Sequence, residues 1–440
     1  MIQDKKNSIG KFLYLFLLII IFSVINTSSF AEVLKYDIYH YTDKLHIRLE
    51  FKSFKGNITE LIVPSNIWGH EPSKQIKNIK LHSVGKIDSN NISHEKDSYI
   101  IISYDIINID TNGQKYYSYI DNNGFYFIAK FALIYPRYNQ EKLDTIINFS
   151  SPSVTDIVTS ASYRISNKKK IITNFNDLIN GFIIAGNDKS ILVKDFLDTK
   201  IITFNLDKNL IDEAILLLDK INNAQTKYFE YSDKNNIFVL INNKHATKDN
   251  YYGTVLKDRT VIYFLPSNSD INNTNLKHLI SHENLHKWIG RGVIRVSDDE
   301  EFKYKWFTEG FVDYLSDRIN LDNEIITYDE YITILNKRKS QYIGIASYTN
   351  DNRNNMQKMY WENNNVRISQ YIEGSILAAD IDEKIKKFSE NKMSLRDVMK
   401  QIIHELKKGN DKKFTTELLQ KFIREIVGYD IEIQGLDIGS

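Results

Sequence analysis

The sequence contains no cysteine among its 440 residues. This absence excludes disulfides, thiolate metal sites and cysteine nucleophiles, and it leaves the redox compartment undecided. An excess of one charge is also missing, because 57 basic residues stand against 56 acidic ones, so no surface for nucleic acid is indicated. After position 31 no run approaches the ~20 apolar residues that a transmembrane helix needs. The length is sufficient for two or three domains.

The first 31 residues have the three parts of a secretory signal peptide. Lys5, Lys6 and Lys11 precede an apolar run at 12–25, and small or polar residues follow it up to Ala31. This run is short for a membrane span. We therefore predict an exported protein, periplasmic or secreted. An uncleaved N-terminal anchor is the alternative, and membrane contact is expected only in that case.

One pentapeptide carries the strongest chemical signal. Residues 282–286 read His-Glu-Asn-Leu-His, the pattern H-E-x-x-H. On a helix, His282 and His286 lie four residues apart on one face, so both imidazoles can bind one metal ion. Glu283 then points beside the metal, where it can take a proton from a water molecule.

The motif is expected to lie on a helix that follows a strand. Apolar residues recur at helical spacing from Leu276 to Leu285, and Gly290 follows where a helix would stop. Asn275 or Thr274 can supply the N-cap. The strand-like run at 260–265 leads into this helix, and such a strand can offer its edge to an extended peptide.

A second helical pattern supplies two more candidates. Glu309, within Trp-Phe-Thr-Glu-Gly-Phe at 306–311, is the predicted third metal ligand, because two histidines, one glutamate and a water form a known catalytic zinc set. Asp313 lies one turn further on the same face, where it can accept the free N–H of a metal-bound histidine. The sequence therefore predicts one Zn²⁺ per chain, held by His282, His286 and Glu309.

Two alternatives concern the same segment. In one, the helix is an ordinary buried helix with two hydrogen-bonded histidines. In the other, His278 replaces His286 as a ligand, but then no glutamate follows the first histidine of the pair. Three histidines over two turns span ~12 Å, too far for one ion with bonds of about 2.1 Å. We expect His278 to lie beside the ligands or to be exposed. Five scattered histidines are expected to have surface or structural roles: His40, His46, His70, His82 and His94.

Strand patterns dominate up to about residue 165, and helical patterns dominate after 314. Leu45 to Phe51 alternate in polarity, 99–107 is a second run, and 116–135 read as a hairpin with an Asn-Gly turn. Helices are predicted at 209–223, 328–339, 368–388, 395–407 and 415–427, and an Asn-rich loop at 350–365 is expected to border a cleft. We predict an α+β protein with a signal peptide (1–31), a sandwich-like all-β domain (32–167), an α/β part with an edge strand (168–270) and a helical part with the zinc site (271–440).

Three stretches make this sequence resemble the gluzincin metallopeptidases, and most closely the glycyl aminopeptidase family. The first joins the H-E-x-x-H pentapeptide to 306–314, the second is 368–375 with 394–399, and the third is 414–417. The likeness covers roughly residues 175–430. It implies a thermolysin-like catalytic domain behind a β domain, without the PDZ domain that many relatives carry.

The resemblance also implies roles for two residues that spacing alone does not identify. Tyr371 would donate its hydroxyl to the oxyanion of the tetrahedral intermediate. Gly253 would lie on the strand that binds the substrate backbone. In this sequence that strand lacks the family's glutamate, and Glu373 stands where a lysine is usual. Aminopeptidase and endopeptidase activity therefore both remain open.

The predicted function is that of an exported zinc metallopeptidase acting on peptides or proteins. Glu283 would serve as general base and Tyr371 as a hydrogen-bond donor. The alternative from another class is a non-catalytic peptide-binding or envelope-assembly protein with the same fold. A hydrolase of non-peptide amides is a third possibility.

Overall fold

The computed structural model describes most of the chain after residue 32. The described residues are 33–53, 56–109, 117–137, 143–160, 166–167, 169–196, 199–231, 236–242, 250–256, 260–352, 356–409 and 412–428, with the side chains of 346–352 and 356–357 left aside. The predicted signal peptide lies outside these residues.

Three sheets form the N-terminal region. A six-stranded sheet has the order β13-β11-β1-β2-β7-β4: β1 (Val33–His40), β2 (Lys44–Lys52), β4 (Ile76–Leu81), β7 (Tyr99–Ile107), β11 (Asp144–Ser150) and β13 (Lys170–Asn174). A four-stranded sheet has the order β10-β3-β6-β5: β3 (Ile58–Ile62), β5 (Lys86–Asp88), β6 (Asn91–Ser93) and β10 (Tyr135–Pro136). The third has the order β12-β14-β9-β8: β8 (Tyr119–Asp121), β9 (Gly124–Ile128), β12 (Asp156–Thr159) and β14 (Phe182–Gly186).

The polarity patterns produce the expected strands in this region. Leu45, Ile47, Leu49 and Phe51 are buried on one face of β2, and β7 has the predicted bounds. The hairpin of β8 and β9 is also present, but its register pairs Asp121 with Gly124, so the two loop residues are 122 and 123. The pairing of β12 with β14 extends to Gly186, beyond the predicted domain boundary at 168. The division into domains at that boundary stays a prediction.

A five-stranded sheet follows and leads into the helical half. Its order is β15-β16-β17-β19-β18: β15 (Ile191–Phe196), β16 (Thr199–Phe204), β17 (Asn236–Asn242), β18 (Tyr252–Val255) and β19 (Thr260–Leu265). The strand β19 before the H-E-x-x-H motif therefore lies inside the sheet. The expectation that it offers its edge is wrong, and β18 is the edge strand.

Helices make up most of the rest of the chain. Their bounds are α1 (Ala129–Ala132), α2 (Phe175–Ile179), α3 (Lys208–Phe229), α4 (Thr274–Leu285), α5 (Val312–Asp322), α6 (Tyr328–Asn352), α7 (Met356–Glu362), α8 (Asn364–Phe388), α9 (Leu395–Lys407) and α10 (Thr416–Val427). The chain is thus α+β, rich in strands at its start and helical in its C-terminal half. The described part of the Asn-rich stretch 350–365 is mostly helical, which corrects the predicted loop.

The α8 helix packs directly on the segment 306–311 through two glycines. A Cβ on Gly374 would lie 1.9 Å from the carbonyl oxygen of Trp306, and one on Gly310 would lie 2.4 Å from Cα of Gly374. Larger residues at either position would separate the two backbones. This contact fixes how close Tyr371, one turn before Gly374, comes to Glu309.

We predict that Gly374→Ala lowers the free energy of unfolding by about 3 kcal/mol, because the new methyl group overlaps backbone atoms that cannot move away. The matched control is Gly344→Ala in α6, where a Cβ meets nothing within 4 Å. That change removes backbone entropy from the unfolded chain and should raise stability by ~0.5–1 kcal/mol. Urea denaturation measures both, and equal effects would contradict the close packing.

Candidate metal centre and active site

The H-E-x-x-H helix α4 is anchored at its start and along its buried face. The Asn273 side chain accepts hydrogen bonds from the backbone N–H groups of Asn275 and Leu276, so Asn273 is the N-cap, and not Asn275 or Thr274. On the buried face, Gln225 of α3 donates to the Ser281 carbonyl and accepts from the Asn284 side chain, at 2.8 and 2.7 Å. These bonds fix the position of the motif on the core.

The three predicted metal ligands converge on one point. Nε2 of His282 and Nε2 of His286 lie 3.1 Å apart, and each lies 3.4 Å from Oε2 of Glu309. A tetrahedron with metal–ligand bonds of 2.0–2.1 Å has edges of about 3.3–3.4 Å. The triangle therefore has the size that a tetrahedral ion requires, and its nitrogen and oxygen donors suit zinc.

Hydrogen bonds hold both imidazoles with Nε2 towards this point. Nδ1 of His282 lies 2.7 Å from Oδ1 of Asp313, and Nδ1 of His286 lies 3.1 Å from the Ile289 carbonyl oxygen. Both acceptors require a proton on Nδ1, which leaves the Nε2 lone pair for a metal. The structure thus places Asp313 beside His282.

Glu309 lies on a π-helical turn, Trp306–Phe311, instead of a regular α-helix. Such turns are frequent at functional sites. Its second oxygen, Oε1, accepts a hydrogen bond from Lys305 at 3.0 Å, and Lys305 also donates to Glu301 at 2.8 Å. Burial alone would raise the pKa of Glu309, but Lys305 and the two histidines hold it well below its ordinary value. The Lys305–Glu309 spacing of four residues is a sequence signal that the sequence analysis missed.

A charged network lies behind the triangle. His278 contacts Asp317 at 2.7 Å and Asp313 at 3.2 Å, and Arg338 of α6 lies 2.6 Å from Asp317. Burial alone would lower the pKa of His278, but the two aspartates raise this pKa to about 9. His278, His282 and Asp313 form a second group of ligand atoms close enough for a metal. In that group Nε2 of His278 and Nδ1 of His282 already contact Oδ1 of Asp313, at 3.2 and 2.7 Å, so the first group is the better candidate.

Glu283 faces the edge strand β18 at its glycine. A Cβ on Gly253 would lie 2.4 Å from Cγ of Glu283, so any other residue there would displace the carboxylate. Both residues line the cavity that contains His286 and Glu309. The structure therefore brings Gly253 and Glu283 together beside the candidate metal position.

Tyr371 also lies in this cavity, next to a candidate ligand. Its ring is nearly parallel to that of His282, with centroids 5.9 Å apart and an interplanar angle of 18°. Burial, with smaller effects from Glu309 and Tyr360, raises the pKa of Tyr371 far above its ordinary value, so its hydroxyl stays protonated.

The cavity has a volume of about 510 Å³, and distant parts of the chain contribute to its wall. One contribution is the turn that carries Trp68 and His70. Trp68 adopts a left-handed backbone, with φ of 54°, and Lys130 lies 3.3 Å from the centre of its ring. The predicted surface or structural role does not fully describe His70, because this histidine also lines the cavity. The α7–α8 corner adds Trp361 and Arg367, so the stretch 350–365 does border a cleft.

Comparisons place the fold among known proteins. Searches of protein-family models and of curated proteins find no match. An aminopeptidase N family protein from Idiomarina loihiensis superimposes with a TM-score of 0.67 and 17% identity, over 90% of this chain and 74% of that one. Yeast LTA4 hydrolase, solved with bestatin, gives a TM-score of 0.41 and 12% identity, over 90% of this chain and 64% of that one.

The first of these similarities shows a shared fold, and at 17% identity it shows the fold alone. It agrees with the coarse expectation of a gluzincin-type fold. The narrower resemblance to glycyl aminopeptidases finds no support among these structures.

We expect one divalent metal ion per chain, lost in His286→Ala and in Glu309→Ala because each removes a ligand atom from the triangle. Glu283→Gln should retain the ion, since Glu283 neighbours a ligand without belonging to the triangle. His278→Ala removes a member of the second group, serves as the matched control, and should also retain the metal ion. Elemental analysis after gel filtration gives the metal content. Loss in His278→Ala with retention in His286→Ala would show that the second group is the metal site.

Proposed function

We propose that this protein is a zinc-dependent peptide hydrolase. The observation that carries the proposal is the convergence of His282, His286 and Glu309 in one cavity with Glu283. The donor set and the spacing of the triangle fit zinc, and one ion per chain would be held there. Bound zinc would polarise a water molecule and the substrate carbonyl.

The residues around the triangle have distinct tasks in this proposal. Glu283 takes a proton from the attacking water and later delivers it to the leaving amine. Asp313 fixes the tautomer of His282. Tyr371 donates its hydroxyl to the oxyanion, because its raised pKa keeps the proton in place. The edge strand β18 pairs with an extended substrate, with Gly253 leaving room for Glu283.

Export is a further part of the proposal, and it rests on the sequence of residues 1–31. None of the helices within the described ranges is long and apolar enough to cross a membrane. The N-terminal segment, cleaved or retained as an anchor, lies outside those ranges.

Glu283→Gln should abolish peptide turnover, because an amide cannot act as general base. A digest of a proteome-derived peptide library, read by mass spectrometry, compares this variant with the parent protein at equal metal content. The matched control is Glu425→Gln, an exposed carboxylate on α10, which should leave turnover unchanged. A parent protein that binds peptides but cleaves none would favour the non-catalytic alternative.

Tyr371→Phe should lower kcat by roughly 10²- to 10³-fold with little change in KM, because the lost bond forms only in the transition state. The measurement is steady-state kinetics on one peptide from the library. Phenylalanine keeps the ring beside His282, so metal content should stay the same. A change confined to KM would assign Tyr371 to substrate binding or packing.

Recognition of the substrate's free amine requires a carboxylate in the cavity. Glu301 is paired with Lys305 and lies 3.5 Å from Arg291. Glu362 lines the cavity but is exposed, and exposed ion pairs contribute ~0–1 kcal/mol. We therefore predict that N-terminal acetylation of a good substrate changes kcat/KM by less than about tenfold. Complete loss of cleavage would instead indicate an aminopeptidase.

A further inference from the structure

We propose that Arg367 makes this site selective for substrates that carry a carboxylate close to the scissile bond. The inference rests on the proposed function, since it concerns the substrate of the same cavity. Arg367 lies on α8 one turn before Tyr371, and both line the cavity. Arg367 as a whole residue is half-buried, and its guanidinium makes an exposed hydrogen bond to Asn364.

The other cations of the cavity wall already have carboxylate partners. Lys305 is paired with Glu309 and Glu301, at 3.0 and 2.8 Å. Arg291 lies 3.5 Å from Glu301. Arg367 has no such partner among the residues that the structure describes, and its guanidinium donates instead to the neutral side chain of Asn364 at 2.5 Å. Among the described residues that line the cavity, Arg367 is therefore the cation without a carboxylate partner.

The position of Arg367 relates its charge to the reacting bond. One helical turn between Arg367 and Tyr371 corresponds to a rise of ~6 Å along α8. Burial raises the pKa of Tyr360 to about 12, and the positive charge of Arg367 is close enough to be one of the effects that oppose this rise. Because an extended peptide advances ~3.3 Å per residue, Arg367 is within reach of a group one or two residues from the oxyanion.

An arginine in this position suits a carboxylate better than other groups. Its planar guanidinium forms two parallel hydrogen bonds with a carboxylate, which neutral amides cannot match in strength. The competing partner is Glu362, which also lines the cavity, but no ion pair joins the two within the described part of the chain. The carboxylate can come from an Asp or Glu side chain or from the C-terminus of a short peptide.

The test compares matched peptides with the parent protein and with Arg367→Gln. In the first comparison, two peptides differ only by Glu or Gln at one position, and each of the two positions on either side of the cleaved bond is tested in turn. In the other, a tripeptide has a free or an amidated C-terminus. We expect one acidic form to have a kcat/KM ~10-fold higher than its neutral counterpart in the parent protein, and this preference to disappear in Arg367→Gln. The matched control is Lys358→Gln, an exposed cation on α7 that does not line the cavity.

Peptide binding to the Glu283→Gln protein separates this proposal from the proposed function. Calorimetry on that background should show the same ~10-fold preference in Kd, again lost when Arg367→Gln is added. If the parent protein cleaves no peptide, the proposed hydrolase function is wrong. The binding preference then still tests the role of Arg367. Preference in the Glu/Gln pair identifies a side-chain carboxylate, and preference in the tripeptide pair identifies the C-terminus. Equal values for acidic and neutral peptides, or a preference that survives Arg367→Gln, would overturn the inference.

Discussion

The pairing of buried charges between α4 and the segment 306–322 is the constraint on which the site depends. Taking an ionised side chain out of water costs several kcal/mol unless a partner compensates it. Here His278 of α4 lies 2.7 Å from Asp317 and 3.2 Å from Asp313, and Nδ1 of His282 lies 2.7 Å from Asp313. Since each contact needs its two helical segments in one register, the same pairing that makes burial tolerable also sets the triangle of ligand atoms.

A second constraint is the backbone contact between Gly310 and Gly374. It allows α8 to approach the π-helical turn far more closely than side chains would permit. As a result Tyr371 stacks beside His282, and Arg367 lies one turn further along the same helix. The position of this part of the cavity wall therefore depends on two glycines, which have no side chains to hold the backbones apart. Gly253 has a corresponding role on β18, where it leaves room for Glu283.

The parts of the site that depend on local spacing could be predicted from the sequence, and the parts that depend on tertiary packing could not. Helical spacing relates His282 to His286 and Glu309 to Asp313, and the packing of the two segments then brings both pairs together. Trp68 and His70 reach the cavity from the β-rich region, and no local pattern indicates such a contact. The same holds for β18, because the order of strands in a sheet is not a local property. The N-cap was mispredicted since several adjacent polar residues are equally competent, and only packing selects Asn273.

The zinc X-ray absorption spectrum of the metal-loaded protein tests most directly whether His282, His286 and Glu309 hold the ion. Zinc held by this triangle should show four nitrogen or oxygen atoms at about 2.0–2.1 Å, with the outer-shell scattering of two imidazole rings. The His286→Ala protein, if reloaded, should show one ring. A six-coordinate shell of oxygen atoms without imidazole scattering would contradict the account, because the ion would then lie outside the triangle of His282, His286 and Glu309.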